Sequence, residues 1–505
     1  MTTSVALAAP HPAALDAARA VVAAGGGAVD AAVAAAAALA VVYPHQCSAG
    51  GDLVALVRSA DVDRRGVRSG DGKTRAVLSI GAAAVGIDLA GHDRMPFSGP
   101  LTITVPGAVA GWARVATLGA RLPFAELLAP AIALAENGVA VSEGVRRAVE
   151  GRREHVRADP GLSGLLLDAA GEPRSVLHQP ALASTLRTVA DDWTSFYRGR
   201  LAERLVAGLG RLGSPLAAVD LAAHEAEVVD PLSTTVDGAT WYAAPPPTQG
   251  ATLLAILGSS DPLGDAYRAR AARDSLLGDP RGGPIDVDAL RLRTSGVAVE
   301  AVVAPKPWGD TVAVTAVGAD GTAVTLIQSV FQSFGAGLLE PETGVVLHNR
   351  GASFTLQTGH PGRVRPGVRP PHTLCPSLAV TPDAVVALGC MGGRSQAWIL
   401  AQVAADVLDA DDLAALVARP RWVIGSQEID REVDTLLLEP GTPGSDPLAH
   451  AAGNLGLAVE TTPHRHDNSG HVQVARLRNG VVDAAGDPRA DGRGAVFSQR
   501  GGHDG

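Results

Sequence analysis

Aromatic residues make up only 3% of this 505-residue chain, so Ala, Val, Leu and Gly must fill its interior. Small apolar side chains suit closely spaced layers better than a core built around large rings. Cysteine is scarcer still. Cys47, Cys375 and Cys390 stand far apart, with no C-x-x-C pair and no even framework. That spacing argues against a disulfide scaffold or a structural zinc site and fits reduced thiols in a cytoplasm. The N-terminus, MTTSVALAAPHPAALDAARA, has neither the basic leader nor the long apolar core of a secretory signal. The most apolar run, Ala31 to Tyr43, is too short and too Ala-rich to span a bilayer and reads as a buried helix. A soluble, cytoplasmic protein is the expectation. Positive charge is in deficit as well: the net charge is −10 and no basic stripe with interleaved aromatics occurs, which argues against an electrostatic nucleic-acid binder. The phosphate-loop spacing fails in the run Arg68 to Thr74, because Val67 stands where a glycine is needed. No G-x-S-x-G elbow, H-E-x-x-H helix or dinucleotide fingerprint is found.

What remains is 46% hydrophobic and 19% charged, enough for a large core and for two or three domain-sized units. Residues 11–43 carry two Ala-rich helical stretches interrupted by Ala24-Gly25-Gly26-Gly27. A strand (LVALVRS) follows the turn Ser48–Asp52, and Pro106-Gly107 opens the helix AVAGWARVATLG. A helical region is expected from Phe124 to about Ala226, with a loop between Asp159 and Glu172. Pro245–Gly250 opens a further helix, and residues 278–310, rich in Gly and Pro, read as a flexible connector. Strand patterns dominate from Thr311 onward, with helices near 395–407 and 411–417. The sum is a mixed α/β chain with helices layered on sheets.

Thr311 is the residue that carries the most chemistry. Small, β-branched and polar residues alternate from Thr311 to Val317, the turn Gly318-Ala319-Asp320-Gly321 follows, and Thr322 to Ile327 resumes the strand, which predicts a hairpin. A threonine opening a strand is by itself ordinary, since β-branched residues suit a pleated backbone. Preceded by Gly309-Asp310, it also has the layout of a self-cleaving precursor. Cutting Asp310–Thr311 would free an α-amine, of reference pKa about 8, beside the threonine hydroxyl. Such an amine takes the hydroxyl proton at neutral pH and activates a weak nucleophile.

Two other segments bear on function. Gly389-Cys390-Met391-Gly392-Gly393 ends an apolar strand and opens a helix, so it is either a plain strand-to-helix turn or a source of free N–H groups for an oxyanion. His464 and His466, in H-x-H spacing that would put both imidazoles on one face of a strand, with His471 nearby, resemble a metal-ligand pattern, but the segment is polar and loop-like, where solvated histidines are the commoner outcome.

In this order the pieces resemble the γ-glutamyltranspeptidase (glutathione hydrolase) family of N-terminal-nucleophile hydrolases. The resemblance runs almost end to end: GGGAVDAAVAAAAALAVVYPHQCSAGGD (Gly25 to Asp52), VPGAVAGW (Val105 to Trp112), LLAPAIALAENG, FYRGRLAERL, PPPTQG (Pro245 to Gly250), RDSLLGDP (Arg273 to Pro280), SFGAGLLEPETGVVLHNRG (Ser333 to Gly351), RPPHTLCPSL, GCMGGR and ARPRW. It implies a four-layer αββα fold and self-cleavage at Asp310–Thr311, giving a large subunit of residues 1–310 and a small one of 311–505, intertwined as an αβ heterodimer. It further implies Thr311 as nucleophile, Ser329 as the hydroxyl that orients it, and Gly392 and Gly393 as part of the oxyanion hole. The acyl group of an amide would pass to Thr311 and then to water or an amine. No cofactor and no metal are called for.

The sequence departs from that family at the substrate head. VLSIGAAAVGID (Val77 to Asp88) holds no arginine where the family grips the α-carboxylate, and Ser353 stands at the amine-binding aspartate. His372 and Thr373 replace a serine pair, while Arg350 is a candidate replacement carboxylate anchor or a structural arginine. The leading expectation is a γ-glutamyltransferase or glutathione hydrolase-like enzyme. An acylase for glutaryl-type amides, an uncut inactive scaffold, and a metal module using His464, His466 and His471 are the alternatives.

Overall fold

The structure, a computed structural model, describes residues 4–60, 72–294 and 310–498. Two antiparallel sheets lie face to face. The first has seven strands in the order Arg493–Ser498, Ser4–Ala9, Asp310–Gly318, Ala323–Phe331, Asp52–Arg58, Thr74–Ser79 and Glu227–Val229. The second has six: Val481–Gly486, His471–Arg478, Ala384–Met391, Ser377–Val380, Ala239–Ala243 and Leu232–Val236. The hairpin expected around Thr311 forms the middle of the first sheet, with Ala323 opposite Val317 and Gln328 opposite Val312. Every residue of Ala323–Phe331 is buried, because the sheet is covered on both faces.

Between the sheets, Ala6, Val54, Leu56, Ala313 and Ile327 meet Leu378, Val385, Ala387 and Ala475. The helices Pro12–Ala23 and Ala28–Val42 cover the outer face of the first sheet. All fifteen residues of Ala28–Val42 are buried, which is what its alanines permit. Its N-terminus is fixed by Asp30, whose carboxylate accepts from the amides of Gly27 (2.8 Å), Arg121 (2.9 Å) and Leu122 (2.8 Å). The helices Gly250–Ile256, Pro262–Leu276 and Gln396–Ala404 cover the second sheet. The layers therefore run helix, sheet, sheet, helix: the αββα fold.

Some expectations need correcting. The segment read as a loop from Asp159 to Glu172 contains the helix Pro160–Leu166, whose start is capped by Asp159 at 2.7 Å from the Leu162 amide. Strands Glu227–Val229, Leu232–Val236 and Ala239–Ala243, which the sequence reading does not include, follow the helical region. His464 and His466 do not share a strand face: the chain there is irregular, turns through Asp467–Ser469, and enters a strand only at His471. Of the expected connector, residues 295–309 lie outside the described residues, as do residues 61–71, which hold most of the rejected phosphate-loop run. Among the described residues no helix is long and apolar enough to cross a membrane. The three cysteines are buried and unpaired.

Candidate active site

Thr311 and Ser329 face each other across the hairpin, 1% and 2% exposed. The Thr311 hydroxyl donates to Ser329 Oγ at 3.1 Å, and Ser329 Oγ donates to the backbone carbonyl of Asp310 at 2.7 Å. The Phe331 amide donates to the same Ser329 oxygen at 2.8 Å. One donor and two acceptor positions use up the serine hydroxyl. The carbonyl it touches belongs to the Asp310–Thr311 peptide, so two hydroxyls in series lead to the bond that the sequence marks for cleavage.

The motifs of the N-terminal half hold this pair in place. Gln328, next to Ser329, accepts from the Trp112 indole at 2.8 Å and donates to the Ala36 carbonyl at 2.7 Å. The long alanine helix and the helix after Pro106-Gly107 are thereby tied to one strand position. Asp52 stands opposite Ser329 in the sheet.

Gly392 and Gly393 follow the strand Ala384–Met391 of the second sheet, with φ of 155° and 51°. The second value is left-handed backbone that favours glycine. A Cβ at Gly389, just before them, would come within 3.2 Å of the Ala313 Cβ, so the end of this strand lies against the start of the Thr311 strand. Gln249, from the PPPTQG segment, clamps the turn: its amide nitrogen donates to the carbonyls of both Gly393 (2.9 Å) and Thr373 (2.5 Å). Arg273, from RDSLLGDP, holds the Gln249 oxygen at 2.9 Å and the Arg394 carbonyl at 2.6 Å. Among the described residues no hydrogen bond joins the glycine pair to Thr311 in the uncut chain.

The remaining sequence-derived candidates gather beside this turn. Arg350 is 1% exposed, with Cζ 3.8 Å from the centre of the Phe331 ring and Nη2 3.2 Å from Thr373 Oγ1. Burial pushes its guanidinium down to about 9. Ser353 Oγ lies 2.8 Å from the carbonyl oxygens of both Arg350 and Pro371, which share its one hydroxyl proton. His372 has both ring nitrogens occupied: Nδ1 accepts from the Leu374 amide at 3.3 Å and Nε2 meets Asp52 Oδ2 at 3.3 Å. Burial pushes its pKa down to about 3.

Sequence reading missed the group behind His372. Asp52 is fully buried and accepts from the Gly81 amide at 3.0 Å, while His348 Nδ1 approaches its other oxygen at 3.4 Å. Burial alone would raise the Asp52 carboxyl, but His348 and His372 hold it well below the usual range. It also missed the surroundings of the Asp310 side chain, which meets Gln46 Nε2 at 3.4 Å, the Ser333 hydroxyl and, more distantly, Arg152. Burial raises this carboxyl to about 7, against the pull of Ser333 and Arg152. The only available signal was that Gln46, Asp52 and Ser333 fall inside motifs that recur in order. His466 and His471 are engaged locally, with Asn468 and Asp467, and no group of three metal-ligating side chains is found among the described residues.

The family model for gamma-glutamyltranspeptidase matches residues 14–276 and 286–497. The oxamate amidohydrolase proenzyme of Klebsiella pneumoniae is 37% identical over 97% of this chain and 98% of its own length. A glutathione hydrolase-like proenzyme of Bacillus subtilis, YwrD, is 31% identical over 90% of this chain and 91% of its own. Among solved structures, a cephalosporin acylase from Bacillus halodurans superposes with a TM-score of 0.83 at 26% identity, covering 99% of this chain and 97% of that one.

Proposed function

The chain belongs to the gamma-glutamyltranspeptidase family, and from that premise we propose that it is made as one chain and cuts itself between Asp310 and Thr311. It is a hydrolase or acyl transferase of the N-terminal-nucleophile type. The observation that carries the self-cleavage reading is the chain of contacts from Thr311 Oγ1 through Ser329 Oγ to the Asp310 carbonyl. Thr311 Oγ attacks the Asp310 carbonyl carbon, Ser329 supports the oxygen as it gains charge, and the acyl group shifts from nitrogen to oxygen. Water then hydrolyses the ester and leaves Thr311 with a free α-amine.

In the mature enzyme that amine takes the hydroxyl proton, Thr311 Oγ attacks the substrate amide, and Gly392 and Gly393 hold the oxyanion. The acyl-enzyme passes to water or to an amine. Arg350, Ser353, His372 and Thr373 form the wall beside the acyl group, with His372 held by Asp52 as a positioning residue. The two products, residues 1–310 and 311–505, stay together, because in the first sheet Ser4–Ala9 lies between Arg493–Ser498 and Asp310–Gly318, and Asp52–Arg58 pairs with Ala323–Phe331. Three buried, unpaired thiols suit a reducing cytoplasm.

A γ-glutamyl group is not the only acyl group this site suits. The family's amine-binding aspartate is replaced by Ser353, which is uncharged and whose one hydroxyl proton is already engaged by the Arg350 and Pro371 carbonyls. An acylase or amidase for another acyl group is therefore the second reading. The relatives above are named for oxamate, glutathione and cephalosporin, three different compounds. Intact-mass analysis of the purified protein tests the proposal: two fragments, the second starting at Thr311, support it, and a stable single chain overturns it.

A further inference from the structure

Arg350 is a buried cation without a counter-ion. Among the described residues no carboxylate lies within ion-pair distance of it, and its Nη1 is buried with no hydrogen-bond partner. The carboxylate that acts on its charge is Asp52, whose oxygens are already taken by His348, His372 and the Gly81 amide. The other charge nearby, Arg394, is a second cation and is itself paired with Asp274. Phe331 below the guanidinium and Thr373 at Nη2 fix its plane, so the open position is Nη1. An unpaired charge held away from water is costly, and a protein that keeps one has a use for an anion there.

The open position is close to the chemistry. Phe331 stands opposite Asp310 across the hairpin, and the Thr373 backbone is joined to Gly393 through Gln249. Arg350 is thus referenced to both the nucleophile and the glycine turn by rigid contacts. Among the described residues beside Arg350 nothing comparable is offered to a positive charge: Asp52 is spent, and Ser353 is neutral.

We infer that the mature enzyme takes amides whose acyl group carries a free carboxylate and no ammonium, with that carboxylate on Arg350 Nη1 and Thr373 Oγ1. The inference rests on Thr311 being the nucleophile. Cleavage releases the Asp310 end from its place opposite Phe331, the residue whose ring carries the Arg350 guanidinium. A carboxylate there receives charge-assisted bonds from a guanidinium whose geometry is set beforehand. A zwitterionic glutamyl head would place its ammonium among Arg350 and Arg394 with no acid to receive it.

The test uses purified, self-cleaved protein and a matched anilide series: glutaryl, succinyl and oxalyl anilides, the methyl ester of each, and the γ-glutamyl anilide. The expected result is that at least one free carboxylate compound exceeds both its methyl ester and the γ-glutamyl anilide by about tenfold or more in kcat/KM, the worth of one good charge-assisted contact. Arg350→Gln should raise KM for that compound and abolish its advantage over the ester, while Arg350→Lys should restore part of it. Glutarate should compete with the substrate and glutaramide should not. Preference for the γ-glutamyl anilide, or equal turnover of acid and ester, would overturn the inference while leaving the nucleophile assignment intact. A wild-type chain that never cuts itself would instead sink the nucleophile assignment and this inference with it. Should Arg350→Gln fail to fold, the wild-type series and the glutarate competition decide the matter alone.

Discussion

Ser329 donates its hydroxyl to the carbonyl of Asp310 at 2.7 Å, and that carbonyl belongs to the peptide bond proposed to break. The same oxygen receives the Thr311 hydroxyl at 3.1 Å. Ser329 is thus a donor to the developing oxyanion and an orienting acceptor for the nucleophile. Ser329→Ala should slow self-cleavage by about 10²–10³-fold, the usual cost of one oxyanion donor. Ser329→Thr keeps the hydroxyl and should cut at a rate near wild type. A time course of fragment appearance on denaturing gels measures both, and unimpaired cutting by Ser329→Ala would remove it from the mechanism.

Thr311→Ala removes the nucleophile and should give one uncut chain of 505 residues without amidase activity. Thr311→Ser should still divide into two fragments, since it keeps the hydroxyl and the α-amine. Intact mass separates these outcomes. Two fragments from Thr311→Ala would mean that some other group, or a contaminating protease, makes the cut.

Asp310 gives the uncut chain its own pH signature. Burial raises its carboxyl to about 7, so the folded precursor holds a proton that the unfolded chain gives up near pH 4. The folded state binds more protons across that interval, so its stability falls as pH rises from about 4 to about 7 and then levels off. Thermal melts of the uncut Thr311→Ala protein should show this decline. Adding Asp310→Asn should flatten it. A decline of equal slope in the double variant would place its origin in other groups.

Gln249 couples two parts of the site that are distant in sequence, the carbonyls of Thr373 and Gly393. Gln249→Leu should lower kcat by about 10- to 100-fold through misplacement of the glycine turn. It should also cost about 1–3 kcal/mol of stability for each polar group left unpaired. Steady-state kinetics of the processed variant, together with denaturant melts, check both expectations. Loss of stability with unchanged kcat would make Gln249 a purely structural clamp.

How much of this was legible in the sequence depends on range. The hairpin could be read because alternation from Thr311 and the Gly318–Gly321 turn are local signals. The helix Ala28–Val42 could be read because an unbroken run of small apolar residues must be buried. The helix Pro160–Leu166 was hidden by Pro160, Gly161 and Gly164, although Asp159 supplies a good cap. Contacts between distant segments left no local trace. Asp52 meets His372 across 320 positions, and Gln249 meets Gly393 across 144. Arg350 could be singled out by type, but its unpaired state is a property of the packed fold.

That unpaired state has a consequence at alkaline pH. Burial brings the Arg350 guanidinium down to about 9, so it is charged at neutral pH and loses its proton within the accessible range. Once neutral it no longer attracts a carboxylate, so KM for a carboxylate-bearing amide should climb as pH passes about 9. The α-amine of Thr311 also titrates, near about 8, and alters turnover of every substrate. Taking the ratio of kcat/KM for an acid and its methyl ester cancels that shared effect and leaves the Arg350 contribution. The ratio should be flat from pH 7 to 8 and fall toward one above about 9. A bound carboxylate favours the charged guanidinium, so the acid-to-ester ratio of kcat, which reports the complex, should hold to higher pH than the ratio of kcat/KM. A ratio that stays constant to pH 10.5 would mean that the carboxylate is held elsewhere.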